Sequence, residues 1–270
     1  MPRRLGRDWG RRAFGSDPTL YDRARPSYPA GLFALLRTRC GLRPGFRAFE
    51  VGAGTGLATR SMLDLGASSL VVVEPDRRLA RYLVGALGPR SSRVRIVPTT
   101  FERADLPPAS FDFGFAATSL HWVPEGPALH KAARLLRPGG WWAAWWNVFG
   151  DPVRPIPFQK ALEPIYQNLP RGPASRRRGR MPFALDRASR LAALQRSARF
   201  SRISARVFRR RVTLTTDRAR SLYATYSEFS SLSPSRRERL LDELAGIARD
   251  RFAGRIALPI LTPVYTARRR

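Results

Sequence analysis

The sequence predicts an α/β fold in which a doubly wound sheet of parallel strands carries helices on both faces. Short β-branched or aromatic runs alternate with helical periods between residues 46 and 147. A glycine-rich turn follows the first of these runs, and an acidic residue ends the second. Strands separated by helices of this length form parallel βαβ units with right-handed crossovers, which gives an open, twisted sheet.

Length and composition set the broad class of the protein. With 270 residues and 43% hydrophobic content, the chain can bury one large core with an appended lid. No apolar run reaches the about eighteen residues that a membrane helix requires, and the basic N-terminus lacks the apolar segment of a signal peptide. Cys40, His121 and His130 are too few for a disulfide or a usual metal site. We therefore expect a cytoplasmic protein with no membrane partner and no structural metal.

The formal net charge of +29 comes almost entirely from arginine. A field of this size attracts polyanions such as nucleic acid. A general surplus of scattered arginines is the alternative explanation. The densest clusters match no known nucleic-acid motif and lie outside the glycine-rich region; they are Arg176–Arg180, Arg209–Arg211 and Arg268–Arg270. A nucleic-acid partner stays open but is not favoured.

Periodicity predicts the individual elements and three regions. Strands are expected at 48–51, 70–73, 94–97, 111–117, 141–146, 200–215 and 256–267. Helices are expected at 31–40, 57–65, 76–87, 127–136, 158–167, 185–198, 218–229 and 234–252. Asp76 is placed to cap its helix, and Pro138-Gly139-Gly140 to stop another. We expect an N-terminal cap over 1–45, a core over 46–150, and a lid with the last strands over 151–270.

The glycine-rich turn predicts a nucleotide or nucleoside site. Gly52, Gly54 and Gly56 are separated by Ala53 and Thr55, between a strand and a helix. Glycines at such a turn permit positive φ and a close approach of the backbone to a ligand. The third glycine falls one residue earlier than in the dinucleotide fingerprint, which argues against NAD.

Two acidic residues accompany the turn. Glu74 ends the second strand, where a carboxylate binds ribose hydroxyls in nucleotide-binding sheets. Glu50 lies inside the first strand and needs polar partners there, either backbone amides of the turn or a ligand. The pairing of the turn with Glu74 is more specific than either feature alone.

In this order, residues 49–56, Glu74, 106–112 and 135–140 resemble the successive motifs of class I S-adenosylmethionine-dependent methyltransferases. The resemblance implies a Rossmann-like, seven-stranded sheet ordered 3-2-1-4-5-7-6 with the last strand antiparallel, and S-adenosyl-L-methionine as cofactor. The cofactor-binding residues it implies are Glu50, Gly52, Ala53, Gly54, Thr55, Gly56, Glu74, Pro75, Thr100, Phe101 and Ala117. Thr100 departs from the aspartate that many relatives carry in the adenine loop.

The segments 21–29 and 117–122 are similar to those of a small-molecule branch, the trans-aconitate methyltransferases. This similarity implies that the N-terminal segment folds over the cofactor, and that the acceptor is a small molecule for which an anion is one option. The substrate-binding candidates are Tyr21, Arg25, Tyr28, Trp122 and Tyr226. An arginine fork suits the cofactor carboxylate or an acidic acceptor equally.

Tyr223, Tyr226 and Phe229 are predicted to share one side of a helix, where they either line an acceptor pocket or pack the helix down. Methyl transfer needs mainly proximity and exclusion of water, because the sulfonium already activates the methyl group. His121 is the candidate general base for an alcohol or amine acceptor, with a structural loop histidine as the alternative.

Three other functions remain open at this point. The first is a nucleic-acid-directed methyltransferase, and the second is a relative that binds the cofactor without catalysis. An NAD-dependent oxidoreductase is the least supported of the three. The oligomeric state and the methylated atom are not specified by the sequence.

Overall fold

A computed structural model describes residues 4–175 and 181–270. Within these residues, eight strands form one sheet: β1 Arg47–Val51, β2 Ser69–Val73, β3 Val94–Val97, β4 Phe111–Ala117, β5 Leu136–Trp145, β6 Val148–Phe149, β7 Phe200–Thr215 and β8 Arg255–Arg269. The order is β3-β2-β1-β4-β5-β8-β7. Strands β1 to β5 are parallel, and β8 runs antiparallel to β5 and to β7. The predicted Rossmann-like topology is therefore confirmed.

The sheet differs from the prediction by one short strand. The two residues of β6 follow β5 and pair with Ile260 and Leu261 of β8, so that β5 and β6 share one edge of β8. Sequence periodicity cannot detect a strand of two residues. The sheet has eight strands instead of seven, in an otherwise unchanged order.

Helices cover both faces of the sheet and its carboxyl edge. They are α1 Arg7–Ala13, α2 Pro18–Ala24, α3 Ala30–Cys40, α4 Leu57–Asp64, α5 Arg77–Leu87, α6 Glu125–Leu135, α7 Pro157–Ala161, α8 Glu163–Gln167, α9 Arg187–Arg196, α10 Thr216–Ala224, α11 Ser227–Ser230 and α12 Pro234–Phe252. Asp76 caps α5 as predicted, because its side chain accepts a hydrogen bond from the Arg78 amide.

The central strands are apolar on both faces, as buried parallel strands are. Along β1, Phe49 packs into one hydrophobic cluster and Ala48 into another on the opposite face. Along β2, Val71 and Val72 divide in the same way. The parallel pairing of β1 with β2 places their carboxyl ends side by side, at the edge where α/β sheets bind ligands.

A third hydrophobic cluster lies in the C-terminal half of the chain. Phe158 of α7, Leu222 of α10 and Leu244 of α12 pack against Leu258 of β8. This cluster holds α7, α8 and α10 to α12 together as a lid near the carboxyl edge of the sheet.

Two predicted helices are each broken into two. The helix expected at 158–167 is α7 and α8, because Pro164 in the first turn of α8 prevents a continuous helix. The helix expected at 218–229 is α10 and α11, separated at Thr225 and Tyr226. Tyr223, Tyr226 and Phe229 therefore do not share one helix face.

The Pro138-Gly139-Gly140 segment was expected to end a helix but belongs to β5. Helix α6 ends at Leu135 and β5 begins at Leu136. The register with β4 then shifts, so that Phe111 lies opposite Leu136 and Phe113 opposite Trp141. Gly139 adopts a φ of 78° in this irregular stretch, which favours glycine.

No helix among residues 4–175 and 181–270 has the length and apolar character needed to cross a membrane. The same residues contain no group of three or more metal-ligating side chains. Cys40 is a buried free thiol. The arginine cluster at 176–180 lies outside the described residues.

Candidate functional site

The glycine-rich turn connects β1 to α4. Gly52, Gly54 and Gly56 have φ values of 69°, 58° and 88°, all in the region that favours glycine. The Gly52 amide donates to the Val73 carbonyl of β2 over 2.8 Å, which ties the turn to the neighbouring strand. A Cβ on Gly52 would collide with Ser119, so the turn can pass here only without a side chain.

Glu74 lies beside this turn, as the sequence predicted. Its Oε2 accepts a hydrogen bond from the Gly54 amide at 2.8 Å, and its Oε1 accepts one from the Asp76 amide at 2.9 Å. The residue is 4% exposed, and this burial raises the pKa of its carboxyl to about 7. Because each oxygen has a second lone pair, the carboxylate can still accept hydrogen bonds from a ligand.

Glu50 is the second buried carboxylate, with no exposed surface. Its Oε2 accepts a hydrogen bond from the Thr59 hydroxyl at 2.6 Å, whereas its Oε1 has no partner among the described residues. Burial, together with the charge of Glu74, raises the pKa of Glu50 to about 8. A buried oxygen without a partner is rare in folded proteins and is typical of a site that a ligand completes.

Both carboxylates line a cavity of about 560 Å³ at the carboxyl edge of the sheet. That volume lies within the roughly 300–1,000 Å³ of small-molecule sites. The predicted site residues that line it are Tyr21, Arg25, Tyr28, Glu50, Gly52, Ala53, Gly54, Thr55, Glu74, Pro75, Thr100, Phe101, Ala117, His121, Trp122 and Tyr226.

Gly56 is the predicted cofactor residue that does not line the cavity. A Cβ at this position would collide with the Leu83 side chain of α5. Gly56 therefore allows α4 to pack closely on α5, and the prediction that it contacts the cofactor is not supported by this geometry. The spacing of the glycines alone could not distinguish a ligand contact from a packing contact.

The loop after β3 contributes Thr100 and Phe101. The Phe101 ring is 2% exposed and stacks on Phe49, with centroids 6.0 Å apart. The ammonium group of Lys131 lies 5.2 Å from the Phe101 centroid. Phe101 thus forms an apolar wall of the cavity that continues into the hydrophobic core.

The N-terminal segment folds over the cavity. The Phe14 ring meets the Trp122 ring edge to face, with centroids 5.8 Å apart, and a Cβ on Gly10 would collide with the same Trp122 ring. Asp22 of α2 forms a salt bridge with Arg60 of α4 at 2.7 Å, next to the glycine-rich turn. These contacts fix α1 and α2 as part of the roof.

Arg25 connects the N-terminal segment to the lid. Its Nε donates to the Thr225 hydroxyl and its Nη2 to the Thr225 carbonyl, both over 2.8 Å. Its guanidinium carbon lies 4.9 Å from the Tyr21 ring centroid, 5.2 Å from that of Phe149 and 5.1 Å from that of Tyr226. The side chain is held rigidly by these contacts while it lines the cavity.

His121 is 5% exposed and accepts a hydrogen bond at Nδ1 from the Trp146 indole over 3.1 Å. An indole N–H can only donate, so the proton of the neutral imidazole is assigned to Nε2. Burial lowers the pKa of His121 to about 3, and the positive charge of Arg25 adds to this effect. The ring therefore offers a hydrogen-bond donor, and the geometry argues against the predicted role as general base.

The predicted aromatic stripe divides between two roles. Tyr223 and Tyr226 line the cavity and stack with centroids 4.8 Å apart. Phe229 has no exposed surface and belongs to the hydrophobic cluster of the lid.

Two cavity residues, Thr118 and Asn147, were not predicted from the sequence. Thr118 follows β4 with a φ of 56°, a strained conformation for a β-branched residue, and its hydroxyl is hydrogen-bonded to the Tyr28 hydroxyl at 2.9 Å. Asn147 follows β5, and its amide donates to the Pro26 carbonyl at 2.9 Å. Their positions just beyond strand ends were the available signal, because ligand sites collect there.

Comparison with known proteins gives matches in the region that contains the glycine-rich turn and Glu74. A family model described as a methyltransferase domain matches residues 49–144. An uncharacterized methyltransferase of Mycobacterium tuberculosis is 34% identical over 136 residues, which are 50% of this chain and 52% of that protein. The chain thus spans about half the length of the curated relatives that it matches first.

Two further matches come from a sequence and from a solved structure. A ribosomal RNA small subunit methyltransferase A of Anaeromyxobacter is 32% identical over 132 residues, 49% of this chain and 39% of that protein. The structure of Haemonchus contortus phosphoethanolamine N-methyltransferase 2 in complex with S-adenosyl-L-methionine superposes with a TM-score of 0.59 at 13% identity, over 97% of this chain and 59% of that one. In both sequence and fold, the segment from 49 to 144 is therefore similar to a methyltransferase domain.

Proposed function

We propose that this protein binds S-adenosyl-L-methionine and transfers its methyl group to a small-molecule acceptor. One arrangement carries the proposal. In a single cavity, Glu74 Oε2 accepts a hydrogen bond from the Gly54 amide of the glycine-rich turn, and Glu50 Oε1 has no partner among the described residues. The match of residues 49–144 to a methyltransferase domain supports the same reaction class.

The residues present fit this cofactor. Glu74 has lone pairs left for the ribose hydroxyls, and the amides of the turn approach without side chains between them. The free Oε1 of Glu50 is the partner for the ammonium group of the methionine part. Thr100 and Phe101 are the candidates for the adenine contact. They form a wall that is more apolar than the one that relatives with an aspartate in this loop provide.

When bound, the cofactor supplies a methyl group already activated by a sulfonium. The contribution of the chain is to hold the acceptor in line and to exclude water. The α1–α2 segment and the lid surround the cavity and provide this exclusion. Trp122 and Tyr28 border the cavity where it meets the end of β4, close to the strained Thr118.

No general base is assigned to this reaction, because the Nδ1 lone pair of His121 is engaged by Trp146. The proposal therefore favours acceptors that react without losing a proton to the protein. The buried free thiol of Cys40 is compatible with a cytoplasmic location, which we retain as part of the proposal.

A nucleic-acid acceptor is the second candidate. The net charge of +29 and the similarity to a ribosomal RNA methyltransferase favour it. The similarity covers only 39% of that relative, and the N-terminal segment packs against Trp122 at the border of the cavity. A small molecule fits this roofed cavity better than a flipped base on a polymer.

The activity is tested with a donor that carries a deuterated methyl group. We expect one or more small molecules of a metabolite extract to gain the label in the presence of the protein, as measured by mass spectrometry. A parallel incubation with total RNA examines the second candidate. Label that appears only in RNA would replace the small-molecule proposal, and no label in either sample would indicate a relative that binds the cofactor without catalysis.

A further inference from the structure

We propose that the methyl acceptor is an uncharged molecule with an apolar body, and that the Tyr226 hydroxyl donates a hydrogen bond to one of its oxygen atoms. The inference rests on the proposed function and specifies the chemistry of the acceptor. Tyr166 and Tyr223 line the cavity next to Tyr226 and supply two further hydroxyl groups.

The lid supplies its own part of the cavity wall. Tyr166 belongs to α8 and Tyr223 to α10, and Tyr226 lies between α10 and α11. The residues proposed for the cofactor come instead from β1 and from the loops that follow β1, β2 and β3. The wall that the lid supplies is therefore left for the acceptor.

The Tyr226 hydroxyl is buried and has no hydrogen-bond partner among the described residues. The Tyr226 ring stacks on Phe149, with centroids 5.8 Å apart, and on Tyr223, with centroids 4.8 Å apart. These contacts hold the ring, so the hydroxyl cannot turn toward a partner elsewhere in the chain. Buried polar atoms without a partner are rare in folded proteins, so a bound molecule is the expected partner.

Tyr166, Tyr223 and Tyr226 keep their protons at neutral pH. Burial raises the pKa of each of these phenols, and no hydrogen bond of the described residues offsets the effect. A neutral phenol donates one hydrogen bond and accepts others. The lid therefore presents neutral donors, which match the oxygen of a carbonyl, an ether or a hydroxyl group.

The charged groups of this wall oppose each other. Arg25 and Glu228 both line the cavity and carry opposite charges. Glu228 raises the pKa of Tyr226 and Arg25 lowers it, as expected of two opposite charges near one phenol. A ligand with a net charge would be attracted by one of these side chains and repelled by the other, and it would also lose its hydration. An uncharged ligand avoids this cost.

Both charged side chains also have hydrogen-bond partners already. Arg25 donates to Thr225 through Nε and through Nη2, both over 2.8 Å. Glu228 accepts hydrogen bonds from the hydroxyls of Ser175 at 2.7 Å and Ser227 at 3.0 Å. The unpartnered phenol hydroxyl is thus the group of this wall whose burial is compensated only when a ligand binds.

The side chains around the tyrosines are apolar. Leu162 lines the cavity one helical turn before Tyr166 and is 1% exposed. Phe149 lines the cavity beside Tyr226. Such a wall favours an acceptor with an apolar body that carries few polar groups.

The test compares four probes built on a benzene ring: acetophenone, α-methylstyrene, benzoate and benzylammonium. The first two have nearly the same shape, but only acetophenone has an oxygen that accepts a hydrogen bond. Each probe is titrated by ligand-observed NMR into protein saturated with S-adenosylhomocysteine. We expect acetophenone to bind about fivefold more tightly than α-methylstyrene, the scale of one neutral hydrogen bond, and more tightly than either ion.

Two variants show whether the preference comes from the Tyr226 hydroxyl. Tyr226→Phe keeps the ring and should bind acetophenone and α-methylstyrene about equally, with an unchanged affinity for α-methylstyrene. Its unfolding temperature should not fall, because no hydrogen bond within the described residues is lost. Tyr82→Phe is the matched control, since it removes a hydroxyl outside the cavity that is hydrogen-bonded to Asp22, and it should keep the preference.

Three results would overturn the inference. The first is that acetophenone does not bind to the unmodified protein, or binds no better than α-methylstyrene. The second is that benzoate or benzylammonium binds more tightly than acetophenone. The third is an undiminished preference for acetophenone in Tyr226→Phe.

The same samples separate this inference from the proposed function. Binding of S-adenosylhomocysteine is measured first by calorimetry, for the unmodified protein and each variant. If it does not bind to the unmodified protein, the proposed function fails, and this inference fails with it. If it binds but the probes show no dependence on Tyr226, only the inference about the acceptor fails. Retained S-adenosylhomocysteine binding by Tyr226→Phe also shows that the variant folds.

Discussion

At the scale of single residues, two buried carboxylates explain most of the site. Glu50 and Glu74 lie at the ends of adjacent strands, and burial raises the pKa of the first to about 8 and of the second to about 7. Folding alone does not satisfy Glu50 Oε1, which has no partner in the described residues. A cationic group placed at this oxygen would favour the ionised form of Glu50.

Cofactor affinity should therefore depend on pH. Without ligand, Glu50 is mostly protonated below its pKa of about 8, and an ammonium group binds to the ionised form. Binding then releases a proton, so affinity rises with pH, by at most about tenfold per pH unit for one proton. Calorimetry of S-adenosylhomocysteine from about pH 5.5 to about pH 7.5, below the range where α-amino groups lose their proton, measures the slope.

Glu50→Gln is the matched variant, because it keeps the size of the side chain and an acceptor for Thr59. It should bind more weakly at about pH 7.5 and with a smaller slope, the remaining slope coming from Glu74, whose pKa is also raised. An unchanged slope in this variant would show that Glu50 does not face the ammonium group.

Residue roles could be predicted from the sequence where they follow from the local backbone. The turn at Gly52 and Gly54, and the position of Glu74 beside it, depend only on strand ends and spacing. Gly56 and His121 were assigned roles that their tertiary neighbours do not support: Leu83 packs against the first, and Trp146 takes the lone pair of the second. No periodicity in the sequence predicts those two contacts.

At the scale of elements, the N-terminal helices decide how closed the cavity is. Helix α1 is seven residues long, so packing holds it in place more than its own hydrogen bonds do. Its Gly10 backbone lies against the Trp122 ring, where no side chain fits. The Asp22–Arg60 salt bridge then fixes α2 against α4.

Gly10→Ala should loosen this roof. The added methyl group has no space beside Trp122, so α1 or the ring must move, at a cost of roughly 1–3 kcal/mol for overpacking. We expect faster hydrogen exchange in residues 7–16 and weaker S-adenosylhomocysteine binding. Gly85→Ala is the control, since no atom lies within 4 Å of a Cβ at that exposed helix position. Equal exchange rates in the Gly10 variant and the unmodified protein would show that α1 does not seal the cavity.

Element boundaries were predictable where one periodicity runs without interruption. The strand β7 and the helix α12 have the predicted bounds, because alternation marks the first and a long helical period the second. The break within 218–229 is not predicted by the sequence, because the aromatic spacing suits one continuous helix. In the structure, Arg25 hydrogen-bonds to Thr225 at this break between α10 and α11. A contact 200 residues away in the sequence cannot be seen from a local pattern.

At the scale of the whole molecule, the N-terminal segment and the lid meet at the cavity that the central sheet forms. Residues 21–28 form one side of the cavity, the turn after β1 the floor, and Tyr226 the side nearest the lid. The sheet order could be expected from the resemblance to methyltransferases, and the order found agrees with it. The position of the N-terminal segment at this cavity depends on long-range contacts such as the hydrogen bond from Asn147 to the Pro26 carbonyl.

The most direct test of the account is a comparison of ligands by isothermal titration calorimetry. We predict that the protein binds S-adenosylhomocysteine at least about tenfold more tightly than NAD. We also predict that Glu74→Gln loses most of this affinity, because the substitution replaces the carboxylate that accepts the hydrogen bond of the Gly54 amide. Asp105→Asn, which neutralises an exposed carboxylate outside the cavity, should bind like the unmodified protein. Equal affinity for NAD and S-adenosylhomocysteine, or full affinity in Glu74→Gln, would contradict the assignment of the cavity as an adenosyl site.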